Sequence, residues 1–175
     1  MATCFINPGH GGSDPGAVSY KTGLEEAVVA TKVAELAAKY LTTAGVYTSV
    51  FQYDGLAEIC DAANASGADV FVSIHCNSAG NASAQGTETW YYQGSTTSKK
   101  LANCIQKQLI ASLPVTDRGL KTTTGLYVLK YTDMPACLVE LAFISNDYDE
   151  SLLASEKWRD EMAKAIARGV TDFFQ

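Results

Sequence analysis

Basic side chains are few in this 175-residue chain, and they are scattered: 13 against 19 acidic ones, for a net charge of −6. The longest basic run is Lys99-Lys100, and the only arginines are Arg118, Arg159 and Arg168. A nucleic-acid binder concentrates such residues on one face, so no nucleic-acid partner is expected. No apolar run approaches the roughly 18–20 residues needed to cross a bilayer, which argues against a membrane partner. No basic segment followed by an apolar one opens the sequence, so no signal peptide is expected within these residues. The five cysteines (Cys4, Cys60, Cys76, Cys104 and Cys137) are odd in number and widely spaced, and no C-x-x-C pair occurs. Most sit inside apolar patterns, where cysteine behaves as a small hydrophobe. Read as reduced core residues, they imply synthesis in a reducing cytosol.

What is present is a core. Hydrophobic residues make up 47% of the chain, and its length suits one domain over residues 1–175. Strand-like and helix-like segments alternate, the pattern of an α/β domain with a mainly parallel sheet. Apolar or β-branched runs predict strands at 3–7, 46–51, 69–75, 87–92, 126–130 and 136–141. Helical spacing predicts helices at 24–43, behind a possible Asp54 cap, at 97–112, and at the C-terminus. The last carries the stripe Trp158, Met162, Ile166, Val170 and Phe173. The Ser/Gly/Asn stretch 77–86 reads as a loop.

Only two histidines occur. His10 follows the first strand inside PGHGG, and His75 ends the third. Ligands of open parallel sheets bind beyond the carboxyl ends of strands, where both fall. By position alone, the favoured reading is that each is an ordinary polar residue finishing a strand. The glycine-rich PGHGGSDPG turn lacks the Lys-Ser/Thr of a Walker loop, so phosphate is a weak alternative. Glu140 adds weight, because it is one carboxylate inside the apolar strand ACLVEL. Burying it unpaired costs on the order of several kcal/mol or shifts its pKa, unless a metal or a proton relay partners it. A hydrolytic zinc site takes three protein ligands and keeps one position open. Helix 24–43 opens with Glu25-Glu26, and its geometry does not choose between them: both flank the centre of the apolar stripe.

Together these segments resemble the zinc-dependent N-acetylmuramoyl-L-alanine amidases known as amidase type 3. NPGHGGSDPGA (7–17), VFVSIHCN (70–77) and PACLVELAFISN (135–146) are similar to that family's three ordered motifs. The resemblance implies one Zn²⁺ per chain held by His10, Glu26 and His75, with Glu140 as the catalytic carboxylate and Asn77 bordering the substrate groove. Glu26 is selected over Glu25 by counting back from Gly45, which matches a family glycine. Ala27 stands where the family carries a basic residue, and Ala142 where it carries a glycine. The implied fold is a three-layer α/β/α domain around a roughly six-stranded, mostly parallel twisted sheet. The implied reaction is hydrolysis of the amide between N-acetylmuramic acid and L-alanine in peptidoglycan. A phage lysin or a released wall enzyme (an autolysin) would fit, with wall targeting from a binding module outside this chain. The rival readings are a zinc peptidoglycan peptidase and a non-catalytic wall-binding module.

Overall fold

Strand alternation sorts the apolar side chains onto two unequal faces. On β1 (Thr3–Pro8), Cys4 and Ile6 join one core cluster while Phe5 joins the other. On β3 (Val70–Asn77), Val70, Val72, Ile74 and Cys76 lie on the first face and Phe71 on the second. On β6 (Ala136–Phe143), Cys137, Val139 and Leu141 oppose Ala136 and Leu138. This period of two makes each residue's face readable from its neighbours. Asn7, His75 and Glu140 therefore project on the second face.

The structure is a computed structural model describing residues 1–175. Its six strands are ordered β2-β1-β3-β6-β4-β5, with β2 (Tyr47–Val50), β4 (Thr87–Tyr92) and β5 (Asp117–Thr123) completing the sheet. Strands β2, β1, β3 and β6 run parallel; β4 turns antiparallel to β6, and β5 follows β4 in parallel. Helices α1 (Glu26–Thr43), α3 (Thr96–Ser112) and α6 (Glu156–Phe174) cover the first face, closing a cluster of 31 buried residues. In α6 the stripe Met162, Ile166 and Val170 is fully buried, each side chain contributing about 1.5–3 kcal/mol of transfer free energy. Helix α2 (Leu56–Ser66) and the single turn α4 (Tyr127–Lys130) cover the second face, over only nine buried residues. That thinner layer leaves the ends of β1, β3 and β6 open on the face that carries His75 and Glu140. No helix is long and apolar enough to cross a membrane.

The six-stranded, mostly parallel sheet agrees with the sequence reading, but one strand lies elsewhere. Within 126–130, Leu126 is the N-cap and Tyr127–Lys130 form α4, in which Val128 and Leu129 are buried together as successive residues of a turn rather than alternating. The missing strand is β5, a polar edge strand (DRGLKTT) with half of its partners absent and no apolar signature. An unanticipated helix, α5 (Asp147–Ala154), is capped by the Asn146 side chain, which accepts from the Tyr148 and Asp149 backbone N–H groups. Gly55, not Asp54, caps α2; the Asp54 carboxylate instead accepts from Ser13.

Candidate metal centre and catalytic groove

The first histidine is held by a tight loop. Past β1, the Gly9 N–H donates to the Ile74 carbonyl at 2.8 Å, tying the loop to β3. A Cβ on Gly9 would lie 2.2 Å from the His75 ring, so only glycine allows this approach. His10 itself is left-handed (φ 61°), a conformation that costs a non-glycine residue free energy and recurs at functional sites. Gly16, also at positive φ, passes so close that a Cβ would meet His10 and the Glu26 carboxylate at 2.6 and 2.7 Å.

Glu26 begins α1 and is buried, whereas Glu25, the N-cap, is exposed. A bridge between Val18 and Glu25 fixes where the helix starts and so turns Glu26 inward. Its carboxylate accepts from the backbone N–H groups of Ala17 (2.9 Å) and Cys76 (3.0 Å). It also faces His10 Nε2 at 3.1 Å and His75 Nδ1 at 2.9 Å. Burial would raise the Glu26 pKa, but the hydrogen bonds from His10 and His75 outweigh it and hold the carboxyl well below the usual range. The hydrogen bond to Glu26, opposed by burial and helped by Asp14, raises His10 to about 9.

One ligand atom from each of His10, Glu26 and His75 lies within 4.8 Å of the others. Bonds of about 2.0–2.1 Å in a tetrahedral zinc site place ligand atoms about 3.3 Å apart, close to the observed His–Glu separations. The outer nitrogen of His10, Nδ1, meets Asp14 Oδ2 at 2.7 Å, an arrangement by which a carboxylate can fix the orientation of an imidazole that binds a metal. The donor set therefore fits a zinc ion. Cys76 points to the opposite face, and burial pushes its thiol well up, so it is no nucleophile. All five cysteines are free.

Glu140 pairs in register with His75 across β3–β6 and with Glu88 across β4–β6, so the three side chains form a row on one face. Its Oε2 is buried without a hydrogen-bond partner. Burial, with the nearby charges of Glu26 and Glu88, pushes the Glu140 carboxyl up to about 8. The arginine that could have neutralised it is engaged elsewhere: Arg118 Nε donates to Glu88 at 2.7 Å. Glu88 also accepts from the Asn77 side-chain amide (3.1 Å) and the Trp90 indole (3.0 Å). Asn77, Glu88, Trp90 and Glu140 thus line one depression of about 260 Å³.

Asp14 and Glu88 are the site residues the sequence reading did not single out. The signal for Asp14 is its place four residues after His10, on a turn closed by the Gly11–Asp14 bridge. Glu88 shares with Trp90 the face that Glu140 occupies, but its Thr-rich strand disguises a buried carboxylate. A larger depression of about 680 Å³ on the other side of the His10 loop contains neither histidine nor Glu140.

The family described as N-acetylmuramoyl-L-alanine amidase matches residues 4–172. The chain belongs to that family. It is 41% identical to the uncharacterized protein YqiI of Bacillus subtilis, over 98% of this chain and 84% of that one. It is 38% identical to the N-acetylmuramoyl-L-alanine amidase LytC of the same organism, over 99% of this chain but only 36% of LytC. The crystal structure of an N-acetylmuramoyl-L-alanine amidase from Clostridium difficile 630 superposes with a TM-score of 0.94 at 34% identity, covering 99% of this chain and 96% of that one. The α/β architecture is thus that of the amidases, and the His–Glu–His cluster lies within the matched span.

Proposed function

We propose that these 175 residues act as one catalytic unit, a zinc amidase that hydrolyses the bond between the muramic acid lactyl group and L-alanine in peptidoglycan. His10, Glu26 and His75 would hold one metal ion, with Asp14 orienting His10. The observation that carries this reading is the convergence of three donor atoms beside the unpartnered Glu140 carboxyl. When bound, zinc supplies Lewis acidity, making water a better nucleophile and polarising the scissile carbonyl.

Glu140 takes a proton from the attacking water and returns it to the departing alanine nitrogen. Its Oε2 accepts nothing else, so it is free for that exchange. The Glu88–Arg118–Trp90 cluster walls the site beside it, and Asn77, fixed by Glu88, presents a polar edge to substrate. The product is a free amine on the peptide and a free lactyl carboxylate on the glycan. A purely wall-binding role offers no compensation for a desolvated, unpartnered Glu140.

Mass spectrometry of digested peptidoglycan tests the reading. Intact glycan strands and stem peptides with a new L-alanine amine are expected. New reducing sugar ends, released D-amino acids or cut cross-links would overturn it, the last two in favour of a peptidase.

A further inference from the structure

The substrate of this reading has two unlike halves, a neutral glycan on the acyl side of the scissile amide and a peptide on the amine side. The site has two unlike halves as well. Toward β1, a groove of about 370 Å³ has His10 and His75 in its lining, with Tyr53, Leu56 and Tyr127 beside them. Toward β4 lies the Glu140–Glu88 depression, and Leu126 borders both. A substrate spanning them crosses the strand ends from β1 towards β4.

We propose that the tyrosine-bearing groove at Tyr53 and Tyr127 is the glycan subsite, so that the stem peptide leaves across Glu140 towards Glu88 and Trp90. This polarity rests on the amidase reading. Hydrolysis breaks the C–N bond as water oxygen joins the carbonyl carbon, and the nitrogen departs with a proton that Glu140 returns. The nitrogen must therefore lie on Glu140's side, which assigns the acyl half to the opposite one. The chemistry of each half agrees. Glu140, whose Oε2 has no partner within the protein, faces a product that gains a positive charge, the new ammonium. The other groove offers aromatic faces for the C–H faces of neutral sugar rings, and the Asp54 carboxylate as an acceptor for hydroxyl groups.

The groove is also braced. Asp54 accepts from Ser13, rooting the Tyr53 loop in the His10 loop. Tyr127 is carried on a turn anchored by buried Val128 and Leu129, and its ring packs against Tyr131 at a centroid distance of 4.4 Å. Held rings lose little freedom when a sugar stacks on them. Tyr53 is 51% and Tyr127 38% exposed, so truncating them removes little of the core.

Two measurements test the assignment. Peptide-free glycan strands of alternating N-acetylglucosamine and N-acetylmuramic acid, titrated into metal-free protein, should bind the wild type. Tyr53→Ala/Tyr127→Ala should weaken that binding tenfold or more, and Tyr53→Phe/Tyr127→Phe should largely restore it. With zinc restored, kcat/KM is compared on a disaccharide-lactyl-peptide and on the same lactyl-peptide without sugar. The wild type's preference for the sugar-bearing substrate should collapse in the Ala variant. No glycan binding by the wild type, equal binding by all variants, or an unchanged preference overturns the proposal. If glycan binding depends on the tyrosines but neither substrate is cut, the amidase reading fails while the glycan groove stands.

Discussion

Two buried carboxylates border the same site and could hardly be treated more differently. Glu26, where α1 meets β1 and β3, is surrounded by two backbone N–H groups and two imidazoles, and it is held ionised. Glu140, at the junction where the sheet turns antiparallel, has an orphaned oxygen and a second carboxylate beside it. Its pKa rises accordingly to about 8. A carboxylate fixed as an anion suits a cation, and one balanced near neutrality suits a proton. On the proposed reading, metal binding falls to one and acid–base work to the other because of what the fold places around two chemically identical groups.

The comparison breaks first if the ligand role is misplaced. Glu26→Ala should weaken zinc binding by orders of magnitude, since it removes both a charge and a bond. Glu25→Ala, at the neighbouring exposed position, should change little, because dipole interactions at a helix start are worth about 0.3–1 kcal/mol. Metal content after exhaustive dialysis reads the difference; loss of zinc from the Glu25 variant would reverse the assignment. Next in size, Glu140→Gln should keep zinc while lowering turnover by roughly 10²–10⁴. Full activity in that variant would leave Glu140 a merely structural acid.

Smaller effects sharpen the contrast through pH. Zinc needs a neutral His10, yet in the metal-free protein His10 stays protonated up to about pH 9. Binding near neutral pH should therefore release a proton, with affinity falling about tenfold for each unit below 9 while this group alone titrates. Calorimetry in buffers of different ionisation enthalpy measures that proton, and its absence would contradict the His10 assignment. For Glu140 the sign is opposite in meaning. A carboxyl raised from 4.5 to about 8 penalises the folded state progressively as pH rises between those values. Metal-free Glu140→Gln should match wild-type stability near pH 4 and exceed it at pH 8 by a few kcal/mol, on the order that such a shift allows. Denaturant melts at the two pH values decide; equal stabilities at both would mean that Glu140 is not strained.

How legible was this in the sequence? Both histidines could be read, because strand ends followed by glycine or asparagine are short-range features. Glu140 could be read because ACLVEL frames one charge in apolar residues. Glu26 over Glu25 could not be read from helix periodicity, since the choice is made by the Val18–Glu25 bridge that sets the helix start. Glu88 escaped because its burial depends on Arg118, thirty residues away on a strand with no apolar pattern. The sequence pattern places that strand at 126–130 instead, where β-branched and apolar residues imitate a strand but close a single helical turn. Long-range pairing, not local propensity, decides such segments.

The most direct test of the central claim is anomalous diffraction at the zinc edge from crystals of the zinc-loaded protein. The account predicts one peak per chain, with bonds of about 2.0–2.2 Å to His10 Nε2, a Glu26 carboxylate oxygen and His75 Nδ1, and with Glu140 beside the site but unbound. An active, zinc-loaded protein whose only peak lies away from these three residues would contradict it.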